Sequence, residues 1–133
     1  MRVVLILLAW LWLAPVQAAT PPREAARIEA LIASLDELGD ARFLRNGKAH
    51  SASEAASHLR LKWKNAGKRV RTAEDFIRYL ATGSSITGRP YRIRFADGRE
   101  QASADYFRAQ LKRIDAQGAP AKSLSPAPAS SPG

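Results

Sequence analysis

The side chains best suited to chemistry in this sequence are His58, Lys62, Ser84 and Ser85. His58 and Lys62 are four residues apart, so a helix would place them side by side, and the two serines follow in a polar loop. A serine beside a histidine or lysine base can act as an activated nucleophile, which is hydrolase chemistry. No carboxylate is placed to orient the base. The same residues therefore also fit a structural role, in which His58 closes the edge of the core and bonds a loop backbone.

Other catalytic and cofactor signatures are missing from the sequence. The chain has no Cys, and its two histidines, His50 and His58, lack the spaced partners of a metal site. Gly83 and Gly88 lie in a loop without the helix pattern that follows a phosphate-binding loop, and there is no Gly-x-Ser-x-Gly elbow. We therefore expect no metal, no cofactor and no catalytic residue, and the hydrolase stands as the third of three functional hypotheses.

A basic segment, residues 60–71, is the second candidate feature, because six of its twelve residues are Lys or Arg. Residues 41–113 hold 17 basic and 6 acidic side chains, and such an excess attracts anionic partners or simply keeps the surface soluble. Trp63 and Tyr91 are predicted to face inward, so the aromatic platforms that bind single-stranded nucleic acid are missing. The predicted binding surface comprises Arg60, Lys62, Lys64, Lys68, Arg69, Arg71, Arg92 and Arg94.

The first eighteen residues have the pattern of a secretory signal peptide. Arg2 supplies a positive charge, residues 3–14 are an unbroken apolar run, and Val16 and Ala18 are small residues at the positions that a signal peptidase reads. The apolar run is too short for a membrane-spanning helix, which needs about 20 residues. The sequence therefore predicts cleavage after Ala18 and a periplasmic or secreted location, with no transmembrane segment after cleavage.

Four helices and two hairpins must position the candidate residues. Apolar residues at helical spacing follow four helix-start signals, at Pro22, Ser51, Thr72 and Ser103. The dipeptides Asn46-Gly47 and Asp97-Gly98 predict tight hairpin turns, and the strict alternation over residues 91–95 predicts a half-buried strand. The expected fold is a small single α+β domain with a small antiparallel sheet.

The domain boundaries follow from composition. We expect a short N-terminal segment over residues 19–23, one α+β domain over residues 24–115, and a disordered tail rich in Ala, Ser and Pro over residues 116–133. Hairpin, turn, serine and helix recur about 51 residues apart, so a duplicated unit would pair its two hairpins into one sheet with helices on one face. Chance similarity between two short hairpin–helix units is the alternative.

Several motifs together carry a family resemblance. In order, they are FLRNG, SASEAASHLRLKW, TAEDFIRYL, SSITGRPYRIRF and DGR, and they span about residues 24–114. This arrangement resembles the YfeK-like family of small uncharacterised bacterial periplasmic proteins. The resemblance implies a periplasmic location and one compact domain, and it supplies no catalytic residues.

Three functions are compatible with the sequence. The first is a non-catalytic binding or accessory module whose basic face holds an anionic envelope component. The second is a protein-interaction or inhibitor module in which the 82–90 loop inserts into a partner. The third is a small hydrolase that uses His58 with Ser84 or Ser85.

Overall fold

Four helices and a four-stranded antiparallel sheet make up residues 20–118, which are the residues described by the computed structural model. This is the predicted α+β class. The predicted signal peptide, residues 1–18, lies outside the described residues, as do residues 119–133 of the predicted tail. The elements in chain order are α1 (Pro22–Ala33), β1 (Arg42–Arg45), β2 (Lys48–His50), α2 (Ala52–Ala66), α3 (Ala73–Phe76), β3 (Arg92–Arg94), β4 (Glu100–Ala102) and α4 (Ser103–Gly118).

The helix boundaries follow local signals in the sequence. α1 starts with Pro22 and continues as a 3-10 helix, Ser34–Leu38, before Gly39 adopts a φ of 57° that favours glycine. α2 begins at a capping box, in which Ser51 accepts from the Glu54 amide while the Glu54 carboxylate accepts from the Ser51 amide. α4 continues to Gly118, three residues past the boundary expected at residue 115.

The two predicted hairpins are confirmed, and they join into one sheet with the strand order β2-β1-β3-β4. Asn46 and Gly47 both have positive φ, as a tight turn between β1 and β2 requires. The hairpins meet where β1 pairs antiparallel with β3, and Phe43 lies opposite Ile93. The pairing that a duplicated unit would give is therefore present.

The sheet has a buried face and an exposed face. Phe43 lies opposite both His50 and Ile93, and directly opposed residues share a face. Phe43 and Ile93 are buried, so this is the core face, and Arg45 lies on it because it is two residues from Phe43. Arg94 follows Ile93 directly along β3, so its side chain lies on the opposite face of the sheet. It is exposed, so this is the outer face.

α3 widens into a π-helix over Ile77–Ala81 before the chain enters the 82–90 loop. The hydroxyl of Thr82 closes the wide turn by donating to the carbonyl of Ile77, at 2.6 Å. Ser84 donates its amide to the Arg89 carbonyl, and Tyr91 donates its amide to the Thr82 carbonyl. The loop is therefore tied at its base and delivers Tyr91 to the core face of the sheet.

Arg27 holds three helices together with carboxylates. Its guanidinium contacts Glu24 on α1, Glu74 on α3 and Asp115 on α4, at 2.8, 3.2 and 2.8 Å. The hydrogen bond to Asp115 is the largest effect on the Arg27 guanidinium, and it raises the pKa of Arg27 above its ordinary value. The Glu24 carboxylate also accepts from the Ala73 amide at the start of α3.

Two sequence expectations need correction. Trp63 was expected inside the core and is only partly buried at its edge, where the indole N–H donates to the Thr20 hydroxyl. Ser103 was expected to cap α4. It is instead the first residue of that helix, and its buried hydroxyl donates to the carbonyl of Ala81. The π-helix presents that carbonyl to Ser103, an arrangement that local sequence does not encode.

Candidate functional site

A cleft of about 410 Å³ lies between the β1–β2 hairpin, α2 and the 82–90 loop. His58, Lys62, Ser84 and Ser85, the four residues singled out for chemistry in the sequence, all line it. β1 contributes Arg45, β2 contributes Lys48 and His50, and the loop contributes Ile86 and then Tyr91. The fold therefore gathers the chemical candidates into one place.

Arg45 and His58 are direct partners in this cleft. Arg45 Nη1 lies 2.6 Å from Nε2 and 2.9 Å from Nδ1 of His58. The guanidinium only donates, so one ring nitrogen of a neutral imidazole accepts from it, and the other ring nitrogen carries the proton and makes no hydrogen bond to Arg45. Burial, with the nearby positive charge of Arg45 as the second cause, lowers the pKa of His58 below its ordinary value.

Lys62 points into the fold rather than outward with the rest of the basic segment. Its ammonium donates to the carbonyls of Leu80 and Gly83, at 2.8 and 3.4 Å, and to the Tyr91 hydroxyl at 3.1 Å. Burial, followed by repulsion from Arg45, lowers the pKa of Lys62. Burial raises the pKa of Tyr91, so this phenol stays protonated.

Ser84 has a structural role in the loop. It is buried, and its hydroxyl oxygen accepts from the amides of Ile86 and Thr87 and, at 3.4 Å, from the Asn46 side chain. Thr87 in turn donates its hydroxyl to the Asn46 side chain at 2.7 Å. Asn46 thus makes the hairpin turn and also ties the loop to it.

The cleft does not assemble the hydrolase arrangement. Within residues 20–118, no hydrogen bond joins His58 to Ser84 or to Ser85, although all three line the same space. A general base must become positively charged when it takes the serine proton, and Arg45 opposes that charge. The contacts of His58 therefore favour a neutral hydrogen-bonding role over proton abstraction.

The electrostatics of the cleft are one-sided. Arg45, Lys48 and Lys62 contribute positive charge, and none of the residues that line the cleft is Asp or Glu. Among the described residues, neither Arg45 nor Lys62 contacts a carboxylate. Arg27, at a similar depth, contacts three. The Nε2 atom of His50 is also buried without a hydrogen-bond partner in the described chain.

The remaining members of the predicted basic surface are spread over other parts of the molecule. Arg60 contacts Glu29 on α1 at 3.4 Å, and Arg92 and Arg94 both contact Glu100 on the outer face of the sheet. Arg92 and Arg94 therefore do not extend a surface around α2. The exposed side chains that remain on and just after α2 are Lys64, Lys68, Arg69 and Arg71.

Sequence reasoning did not single out Arg45 or Asn46 as site residues. A signal for Arg45 was present, because strand alternation places it two residues from the inward Phe43. Asn46 was assigned only a turn, and its bonds to Ser84 and Thr87 connect residues about forty positions apart. Such a contact has no local pattern in the sequence.

Within residues 20–118, no three His, Cys, Asp or Glu side chains are grouped closely enough to hold a metal ion. No helix in the same region is long and apolar enough to cross a membrane.

The fold and the site together define a small α+β domain with a cation-lined cleft. The chain belongs to the family of unknown function DUF5329, whose sequence model matches residues 22–115. It is 46% identical over 90 residues to a Salmonella typhimurium protein described as "Uncharacterized protein YfeK", an alignment that covers 68% of this chain and 75% of that protein. The family resemblance is thereby confirmed. No solved structure matches the chain.

Proposed function

We propose that this protein is an exported, non-catalytic binding module that holds an anionic group of an envelope partner in the cleft. One observation carries the proposal. Arg45 and Lys62 are both half-buried, they share the cleft, and neither contacts a carboxylate among the described residues. Export is supported by the signal-peptide pattern of residues 1–18.

Two like charges in a partly desolvated cleft are costly. Burial penalises the charge of Lys62, and repulsion from Arg45 adds to that cost. The fold neutralises half-buried Arg27 with three acids, whereas half-buried Arg45 contacts no carboxylate among the described residues. An anion bound between Arg45 and Lys62 would relieve both penalties, and charge-assisted hydrogen bonds are stronger than neutral ones.

The cleft is a better candidate site for an anion than the exposed basic side chains on and after α2. Charges on that surface are in water, where salt screens them beyond about 10 Å at 0.1 M, and Arg60 already contacts Glu29. In the cleft, the lower dielectric strengthens each contact. The anionic partner expected from export is a glycan, a lipid head group or an acidic protein of the envelope.

The test compares three sets of variants for binding to purified peptidoglycan and to lipopolysaccharide. We expect Arg45→Met, alone and with Lys62→Met, to weaken binding at least tenfold. Arg92→Met with Arg94→Met is the matched control on the other face of the sheet, and it should bind like the parent. Circular dichroism checks the fold of each variant.

The third set reverses the charge of five exposed basic side chains by replacing each with Glu: Arg60, Lys64, Lys68, Arg69 and Arg71. We expect it to reduce binding less than Arg45→Met does, because these side chains act only through screened, long-range attraction. If this set abolishes binding while the cleft variants bind like the parent, the open surface is the site and the cleft proposal is wrong.

A second candidate function is insertion of the 82–90 loop into a protein partner. Ile86 favours it, because its side chain is 95% exposed in that loop. Apolar contact is insensitive to salt whereas charge attraction is screened. Binding that persists at high salt and is lost in Ile86→Ser would support this function over the first.

A further inference from the structure

We infer that the anionic group bound in the cleft is a carboxylate, held side-on by the guanidinium of Arg45. The inference rests on the proposed function and narrows it to one ligand chemistry. It follows from the hydrogen-bond donors that the fold leaves unused, and from the apolar side chain next to them.

Arg45 has one complete donor edge left. Its Nη1 is engaged with His58, whereas its Nε and Nη2 donate to no residue in the described chain. The Nε–Nη2 edge presents two parallel N–H groups, which match the two oxygens of a carboxylate. Arg27 demonstrates this pairing in the same protein, because its Nε and Nη2 hold the two oxygens of Asp115 at 3.0 and 2.8 Å.

Lys62 supplies charge rather than direct bonds. An ammonium has three N–H donors, and Lys62 has three acceptors already: two carbonyls and the Tyr91 oxygen. The Tyr91 O–H proton has no acceptor among the described residues, and this buried side chain forms part of the cleft wall. Ser85 adds an exposed hydroxyl at the mouth of the cleft.

This donor set is poor for a phosphate. Phosphate sites in proteins typically use clusters of backbone amides, in loops or at helix N-termini. In the 82–90 loop, the amides of Ser84, Ile86, Thr87 and Gly88 all donate within the loop itself. The N-terminus of α2 is closed by its own capping box. The planar guanidinium edge of Arg45 remains, beside the ammonium of Lys48 and single hydroxyls, and the two parallel N–H groups of that edge match the two oxygens of a carboxylate.

Ile86 indicates what the carboxylate is attached to. Its side chain is almost fully exposed and lines the cleft, so the carbon atoms next to a bound carboxylate can pack against it. A chain-terminal carboxylate of a peptide and a small organic acid share this chemistry, and the experiment separates these two sources.

The experiment is an NMR titration of the ¹⁵N-labelled protein at constant ionic strength. The probes are acetate, N-acetyl-alanyl-alanine, the C-terminal amide of that peptide, and inorganic phosphate. We expect the free-carboxylate peptide to bind at least tenfold more tightly than its amide and more tightly than phosphate. The Arg45 Nε–H resonance should shift on binding, because that proton enters a charge-assisted hydrogen bond.

Arg45→Lys is the decisive variant, because it keeps the charge and removes the planar edge. We expect it to lose at least tenfold in carboxylate affinity, because an ammonium cannot pair with both carboxylate oxygens in parallel. If acetate binds as tightly as the peptide, the ligand is a carboxylate and its source is a small organic acid. If the peptide binds more tightly than acetate, the ligand is also a carboxylate, and its source is the C-terminus of a peptide chain.

Three results would overturn the inference. If phosphate binds more tightly than either carboxylate, or if the peptide amide equals the free acid, the ligand is not a carboxylate, although the cleft remains an anion site. If neither anion binds and Arg45→Lys changes nothing, the proposed function fails together with the inference.

Discussion

Arg45 and His58 form the contact that sets the chemistry of the cleft. A neutral imidazole accepts from a guanidinium, and this keeps His58 from acting as a cation near neutral pH. A histidine in a cleft often suggests catalysis. Here its neighbour makes His58 a weaker base, because a proton taken up by His58 would stand beside the positive charge of Arg45.

The pKa of His58 provides a test at the residue scale. We expect an NMR titration of its imidazole to give a midpoint below the ordinary value of about 6.5, since burial and then Arg45 lower that pKa. In Arg45→Met, the midpoint should rise toward 6.5. An unchanged midpoint in the variant would show that Arg45 does not act on His58.

The lowered pKa of His58 also makes the stability of the fold depend on pH. Because folding lowers the pKa of His58, the unfolded chain binds the proton first as the pH falls. The free energy of unfolding should therefore decrease as the pH drops through about 6.5 toward the folded pKa. Chemical denaturation at pH 7.5 and 5.5 measures this change, and His58→Gln should reduce it.

The individual helices and hairpins were largely predictable because their signals are local. Asn46-Gly47 and Asp97-Gly98 marked both hairpins, and the serine and glutamate of the α2 capping box lie within four residues of each other. The shape of the 82–90 loop was not predictable. It depends on the Asn46 side chain and on the π-helix that precedes it, and neither has a signature in the loop sequence.

A substitution at Gly83 tests whether the position of the 82–90 loop controls binding in the cleft. A Cβ at this position would lie 2.8 Å from the carbonyl oxygen of Arg89, so the loop would have to shift. We expect Gly83→Ala to weaken ligand binding several-fold and to cost about 1 kcal/mol of stability, as for modest overpacking. Thermal denaturation and the binding assay measure both effects.

Gly118→Ala is the control for Gly83→Ala, because within residues 20–118 no heavy atom lies within 4 Å of a Cβ placed there. It should leave both binding and stability unchanged. If Gly83→Ala also leaves binding unchanged, the position of the loop does not control the cleft.

At the scale of the whole molecule, positive charge serves two different purposes. Arg27 holds α1, α3 and α4 through three carboxylates, whereas Arg45 and Lys62 face the cleft without one. Composition showed the excess of positive charge over residues 41–113, but the pairing of each charge is set by tertiary contacts. The anionic partner on the wider basic surface stays a prediction of the sequence, and the cleft is the site that we propose instead.

Substitution of Arg27 and of Arg45 should change the free energy of unfolding in opposite directions. We expect Arg27→Met to lower the free energy of unfolding by about 1–3 kcal/mol, because it leaves clustered carboxylates unpaired. Arg45→Met should raise it by about 0.5–1 kcal/mol in the absence of ligand, because binding residues are commonly retained at a cost in stability. Urea denaturation at low salt measures both, and equal destabilisation by the two variants would make Arg45 a structural residue.

The most direct test of the anion-binding cleft is chemical-shift mapping of the backbone amides during titration with acetate, and separately with phosphate, at constant ionic strength. We predict that the largest shifts fall in residues 45–50, 58–62 and 84–91, which line or adjoin the cleft. Arg45→Met should remove these shifts. Shifts spread over residues 64–71 and the outer face of the sheet, with none in the cleft, would contradict the account.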